Sequence, residues 1–500
     1  MTNRFSKQEK IIVCLIILLV AIITVSFGNR KVDYYIDELW TYGLANNIDS
    51  TQPNIEFGRE YSGMGPYETF MEVQSGEGFN YVNVWKNQAN DVHPPLYYVF
   101  IHTICSIFSN SFSKWYGIAL NLFWMIGISI LLYMLSKEIT GSVQASAGIV
   151  LAYETSVIFM NTLLFIRMYA QVTFFVIAFA CLFKKYWNKT LDKKFFGWFA
   201  AIVVLGMMTH YYFLIIAFAL CAALAMQLAI EKRFLELRNV VLVAIGSGAL
   251  FLLCWYHFLG HLFRGYRGKE AISSALSFGG LIEGTSKMFS IINQEAFAGV
   301  MIVFLLVIVA LVVIRLKNKE KIWGYESALF LGAIFYVLVV GKIAPYRDDR
   351  YLMPVMFELF ITAYIAVQEL LKLVWNGKMA EYVTIAIFLV VNFANIVLQG
   401  GYVKMDFYRE DKNELMNNME DKCCIVFIQD PWEALYYYTA LQHAKSYIFV
   451  NSENADSVIN EHADSFILAS TPREVKSIVE TLGATELYYH GQDAYYWVEK

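Results

Sequence analysis

Apolar runs about 17–25 residues long, the length that lets an α-helix cross a bilayer, alternate with short polar loops along most of the chain. They predict eleven spanning helices, over residues 11–28, 115–136, 145–165, 167–184, 195–209, 211–230, 238–256, 292–314, 325–341, 351–372 and 380–400. Residues 94–110 are also apolar, but counting them as a crossing reverses every cationic loop that follows. They are expected to lie in the membrane, re-entrant or along its outer surface, without adding a net crossing; a further partner helix is the alternative. Beyond residue 400 the pattern changes to short alternating runs. Residues 424–428, 446–450 and 465–468 read as strands, and 431–442 and 472–482 as helices. The expected fold is an all-α polytopic membrane protein with a small C-terminal α/β domain. Residues 1–400 form the transmembrane domain, with a long loop at 29–93, and residues 401–500 the α/β domain.

Composition supports this division. The chain is 58% hydrophobic and 16% charged, against about 45–50% and 25% in soluble domains. A net charge of −4 and the lack of a basic tract speak against nucleic acid as a partner. Cys14, Cys105, Cys181, Cys221 and Cys254 fall in apolar runs, and the neighbours Cys423 and Cys424 point to opposite faces of a strand, so no disulfide framework is expected. Residues 11–27 follow a basic segment as in a signal peptide, but no small-x-small cleavage site closes the run, which reads as a retained anchor. Cationic loops at 184–194, 231–238 and 315–321 belong in the cytoplasm. That assignment puts the amino terminus inside and residues 401–500 outside.

With this topology four polar groups of residues share the outer face. The first joins Asp37–Glu38, in Tyr34-Tyr35-Ile36-Asp37-Glu38-Leu39-Trp40, with Asp91-Val92-His93-Pro94-Pro95-Leu96-Tyr97-Tyr98. The others are Arg167-Met168-Tyr169, Thr209-His210-Tyr211-Tyr212, and Tyr346-Arg347-Asp348-Asp349-Arg350-Tyr351. An arginine at mid-bilayer costs at least about 2.5–3.5 kcal/mol, so Arg167 belongs at a helix end, where lysine-based topology puts it. Asp37, just past the first helix, can accept a proton from a hydroxyl or amine nucleophile; the plainer alternative for it and Glu38 is a helix-capping acid. His93, Arg347 and Arg350 can hold a phosphate, or face water and pair with Asp348 and Asp349. Arg167, Tyr169, His210 and Tyr351 can contact substrate or serve as interfacial anchors. His257 and His261 have metal-ligand spacing but lack the zincin glutamate, and read as ordinary helix residues.

In this order the acid pair, the Asp91–Tyr98 run, Arg167-Met168-Tyr169, Thr209-His210-Tyr211 and Arg350-Tyr351 with Pro354 resemble the polytopic GT-C glycosyltransferases. Within them the chain is similar to bacterial relatives of protein O-mannosyltransferases and to lipid A aminoarabinose transferases, over about residues 11–400. The resemblance implies a polyprenyl-phosphate-linked sugar donor, inversion at the anomeric carbon, and a glycan, lipid or protein acceptor at the outer membrane face. It implies Asp37 as general base, with Glu38 beside it, and His93, Arg347 or Arg350 on the donor phosphate. Asp91, Arg167, Tyr169, His210 and Tyr351 would contact substrate. Protein mannosyltransferases carry an acid soon after the arginine of the Arg167 region, whereas Met168-Tyr169-Ala170-Gln171 has none. Chemistry without a metal or other cofactor is therefore expected. A lipid-linked-sugar flippase or transporter is the main rival, and should spread polar residues through the bilayer centre. An outward sensor would instead place its function in residues 401–500.

Overall fold

The computed structural model describes residues 5–500 apart from residues 49, 278, 400–409, 463, 491 and 492. The expected end of the last span and start of the α/β domain thus lie outside the described residues. The chain divides into two compact units. The first comprises Met1–Gly28, Val92–Tyr97 and Ile118–Val403; the second comprises Asn29–Asp91, Tyr98–Gly117 and Lys404–Lys500.

The protein is a polytopic membrane protein. Seven helices are long and apolar enough to cross a bilayer, and two bent helix pairs raise the number to as many as nine among the described residues. The two remaining expected spans are also helices, Tyr169–Tyr186 and Lys193–Thr209, the latter of 17 residues. The apolar stretch after Pro94-Pro95 forms Leu96–Ile107, only 12 residues. At 1.5 Å per residue it is about 18 Å long, too short for a core of about 30 Å, as its expected failure to cross requires.

One boundary differs from expectation. The span expected to be helical from residue 351 opens with two 3-10 turns, Asp349–Tyr351 and Met353–Val355, before the α-helix Met356–Leu371. Pro354 lacks a backbone donor and disfavours helical geometry at the residue before it. Arg350 therefore does not begin an α-helix.

Each bent span is closed by an asparagine from the helix Gly377–Leu398. Between Val143–Glu154 and Val157–Leu164 the chain turns by 62°. There Ser156 N–H bonds the Tyr153 carbonyl, which releases the Ala152 carbonyl, and Asn392 Nδ2 donates to that oxygen at 2.8 Å. Between Leu281–Ala296 and Met301–Lys317 the turn is 98°. Gly299, at φ +83°, sends its N–H to the Asn293 carbonyl, and Asn395 Nδ2 donates to the released Glu295 carbonyl at 2.9 Å. Away from water such carbonyls need a protein partner, and one helix supplies both. The backbones also meet at Gly284 and Gly341. A Cβ on Gly284 would come within 2.0 Å of the Gly341 carbonyl oxygen, and 3.3 Å from Arg347 Nε.

The second unit is built on a six-stranded sheet. Its strands are β1 (Glu60–Tyr61), β2 (Cys423–Phe427), β3 (Ser446–Val450), β4 (Phe466–Ser470), β5 (Thr485–His490) and β6 (Asp493–Val498), in the order β1-β3-β2-β4-β6-β5. The parallel centre, β3-β2-β4, coincides with the expected strands; β1, β5 and β6 add antiparallel edges. Alternate residues (Ile425 and Phe427, Ile448 and Val450, Phe466 and Leu468) bury one face against Val475 and Ile459. The segment 29–91 packs with this sheet: Tyr61 stacks on Tyr447, and the Tyr67 hydroxyl donates to the Ala434 carbonyl at 2.8 Å.

Candidate functional site

In the first unit, four chain segments far apart in sequence deliver their polar residues to one place, all from turns between helices. Arg167 lies between Val157–Leu164 and Tyr169–Tyr186, and its Nη2 donates to His93 Nε2 at 3.2 Å. The His93 ring lies 6.3 Å from that of His210, which is 5.6 Å from Tyr169 and 5.1 Å from Tyr212. Tyr212 packs on Tyr351 at 5.6 Å, and the Arg350 guanidinium stands 5.2 Å from the Tyr351 ring. Arg167, Tyr169, His210 and Arg350 are buried; His93 and Tyr351 are half-buried.

The cations of this cluster act on His210. Burial, reinforced by His93, Arg167 and Arg350, holds the His210 imidazole well below its usual proton affinity. Its Nδ1 accepts the Tyr212 backbone N–H at 3.1 Å, so the neutral ring carries its proton on Nε2. Two guanidiniums and an Nε2–H donor in a largely dry setting form an arrangement suited to an anion. Asp348 lies 3.4 Å from Arg350 Nε and also caps the Asp349 N–H. Asn161 Nδ2 donates to Asp349 at 3.1 Å, fixing the loop that carries Arg350.

The acids belong to the second unit. Asp37 and Glu38 occupy the first turn of the helix Ile36–Asn46. Glu38 is fully buried: its Oε2 accepts the Tyr35 N–H at 2.8 Å and pairs with Lys31 Nζ at 2.9 Å. Asp37 is half-buried, and its carbonyl accepts the Thr41 hydroxyl at 2.9 Å. Asp33, one turn earlier, is held by the Thr439 hydroxyl at 2.6 Å. Asp91 follows the helix Tyr81–Asn90 as its C-cap.

His93, Arg167, Tyr169, His210, Arg350 and Tyr351 thus come together, while Arg347 lies by the Gly284–Gly341 crossing. Asp37, Glu38 and Asp91 are in the other unit. His261 Nδ1 is 2.8 Å from the Tyr211 hydroxyl, which also accepts the Trp255 N–H. Sequence reasoning missed Lys31, which follows the first apolar run, and Asn161, whose signal was a lone amide inside an apolar run. Among the described residues, no three of His, Cys, Asp and Glu gather into a metal-binding set.

The chain shares its fold, over nearly its whole length, with a solved structure. ArnT from Cupriavidus metallidurans bound to undecaprenyl phosphate is similar at a TM-score of 0.51 and 10% identity, covering 97% of this chain and 97% of that one. The apo state of ArnT gives 0.46 at 10% identity over 81% and 87% of the two chains. The Archaeoglobus fulgidus oligosaccharyltransferase, in complex with Zn and sulfate, gives 0.42 at 11% over 81% and 64%. No protein-family model matches the chain, and no curated protein matches it in sequence.

Proposed function

We propose that the protein transfers a sugar from a polyprenyl-phosphate-linked donor to an acceptor at the outer face of the cytoplasmic membrane. The observation that carries this reading is the Arg167–His93 contact inside a buried cluster that also holds Arg350 and His210. A lipid phosphate leaving group develops charge as its bond to the anomeric carbon breaks, and fixed guanidiniums stabilise that charge. Support also comes from the fold, shared over nearly the whole chain with a protein crystallised with undecaprenyl phosphate.

In the reaction, Asp37 takes the proton of the acceptor hydroxyl or amine as its oxygen or nitrogen attacks the anomeric carbon. The carbon–oxygen bond to the phosphate breaks, polyprenyl phosphate leaves with the electron pair, and the configuration inverts. Asp37 is assigned from its sequence position and from the resemblance. Arg167, Arg350 and His93 hold the phosphate, with Arg347 as a further cation; Tyr169, His210, Tyr351 and Asp91 contact substrate. Glu38 sets the start of the Asp37 helix through its cap and ion pair. The absence of an acid after Arg167 supports metal-independent transfer. The site and residues 401–500 are assigned to the outer side, and residues 1–400 and 401–500 to a catalytic membrane domain and an accessory domain.

The test is a transfer assay in liposomes with a panel of polyprenyl-phosphate sugars and a chelator present. One donor should yield free polyprenyl phosphate and a glycosylated acceptor. Movement of intact donor between leaflets, with no release of the lipid phosphate, overturns the reading in favour of a flippase.

A further inference from the structure

The helix Tyr81–Asn90 carries a polar stripe where an amphipathic helix usually carries its apolar one. Asn83, Lys86, Asn87 and Asn90 recur at i, i+3, i+4 and i+7, which places them on one face. A merely solvated face leaves its amides in water, yet Asn83 is only 5% and Asn87 3% exposed. The four residues line a cleft of about 390 Å³ together with Ser50, Thr51 and Gln52. Ligand sites run from roughly 300 to 1,000 Å³, so the cleft suits a small molecule.

The amides are held in fixed orientations. The helix Ile36–Asn46 ends with carbonyls that have no partner within the helix. Asn87 Nδ2 donates to two carbonyls at this end, Leu44 at 3.2 Å and Asn47 at 2.8 Å, and Asn83 Nδ2 donates to Asn47 as well. These bonds hold both amide groups in place at the wall of the cleft. Asn90 and Lys86, both exposed, add donors. An aromatic edge adjoins: Trp40 Nε1 donates to the Thr51 carbonyl at 3.2 Å. The Trp40 ring stacks on Trp432 at 5.7 Å and 19°, with Tyr436 edge-on at 6.0 Å from Trp432. Both tryptophans are half-buried.

Among the described residues, the amides and hydroxyls, one ammonium and a flat aromatic border together match a polyhydroxylated molecule. Its hydroxyls both donate and accept, and its C–H faces pack on indole. An acyl chain would call instead for an apolar wall, which these residues do not build. We propose that this cleft is a saccharide-binding subsite, with Trp40 and Trp432 as its aromatic border. Trp40 stands one turn after Asp37, at i+3 on the same helix. Resting on the transferase reading, this assigns the bound saccharide to the glycan of the acceptor, and gives residues 401–500, through Trp432, a part in acceptor choice.

The experiment is saturation-transfer NMR on the full-length protein in nanodiscs, with the methyl glycosides of glucose, mannose, galactose, N-acetylglucosamine and glucuronate as probes. At least one should receive saturation from the protein. Asn90→Leu and Lys86→Leu, which leave the Asn83 and Asn87 anchors intact, should weaken it up to about tenfold per lost hydrogen bond with unchanged melting. Binding by none of the probes, or a signal that survives both variants and Trp432→Ala, overturns the subsite. In the transfer assay Asn90→Leu should raise the acceptor KM and leave the donor KM alone; a rise in donor KM instead overturns the acceptor assignment. Because saturation transfer needs no turnover, a chain that binds saccharide without transferring it keeps the subsite and loses the transferase reading.

Discussion

Lys31 and Glu38 form an ion pair in which neither side chain is exposed, with Nζ 2.9 Å from Oε2. The same glutamate oxygen receives the Tyr35 N–H, so one buried carboxylate fixes both the chain leaving the first membrane helix and the first turn of the helix that follows. Breaking such a pair by removing one partner costs roughly 3–5 kcal/mol, whereas replacing both with apolar groups costs far less. Glu38→Gln and Lys31→Met should each lower the melting temperature clearly, and Lys31→Met/Glu38→Leu should recover most of the loss. A Glu38→Gln protein that melts like wild type yet transfers no sugar would assign Glu38 to the chemistry.

Asp37→Asn should behave in the opposite way. Half-buried and adjacent to the pair, Asp37 can lose its charge with little effect on melting. Loss of a general base lowers turnover by about 10²–10⁴-fold, and donor binding should stay near wild type. Retention of more than about a tenth of the activity would exclude Asp37 as the base.

Arg350 and Arg167 should separate by geometry as well as charge. A charge-assisted contact contributes about 1.5–3 kcal/mol, so Arg350→Ala should reduce donor efficiency about ten- to a hundredfold. Arg350→Lys should do less harm, because it keeps the charge but loses the fork. Arg167→Ala should resemble Arg350→Ala. Donor kinetics unchanged in Arg350→Ala, with lower yield of folded protein, would reduce Arg350 to a loop-closing partner of Asp348.

His210 should impose a pH dependence on stability. Its proton affinity in the fold lies below the ordinary value of 6.5, through burial first and then His93, Arg167 and Arg350. The unfolded chain therefore binds a proton below about pH 6.5 that the folded chain refuses. Stability is complete above that pH and declines as pH falls through the window toward the depressed folded value. The fall in melting temperature on acidification should be smaller in His210→Gln; equal falls in both proteins would place the titrating group elsewhere.

Sidedness can be read without substrate. Lys189 and Ser277 are both exposed. In a background lacking the seven native cysteines, a cysteine at Ser277 should react with an impermeant reagent on intact cells, and one at Lys189 should not. The reverse pattern would put the cationic loops outside and the proposed site in the cytoplasm.

Much of this architecture was legible because the bilayer imposes a length on every crossing. It failed at residues 351–355, where local proline chemistry outweighs hydropathy. The central strands stood out by their alternation, but β1 is too short to show a period, and β5 and β6 were not recognised in their tyrosine-rich runs. In the cluster, His93, Arg167, His210 and Arg350 were conspicuous as polar groups at the ends of apolar runs. What their sequence positions could not supply was pairing: that Arg167 meets His93, or that Asn161 reaches Asp349, depends on helix rotation. Arg347 and Arg350 look equivalent in sequence, yet Arg347 lies beside Gly284 while Arg350 stands over the Tyr351 ring.

Asn392 and Asn395 sit three positions apart on one late helix, and each answers a carbonyl released by a bend made earlier in the chain. A ribosome delivers those bends long before it delivers the asparagines. Until Gly377–Leu398 arrives, both kinked segments carry a carbonyl that helix geometry has abandoned and that lipid cannot satisfy. The two bends are therefore not independent: one helix answers both, and displacing it would strip both carbonyls of their asparagine at once.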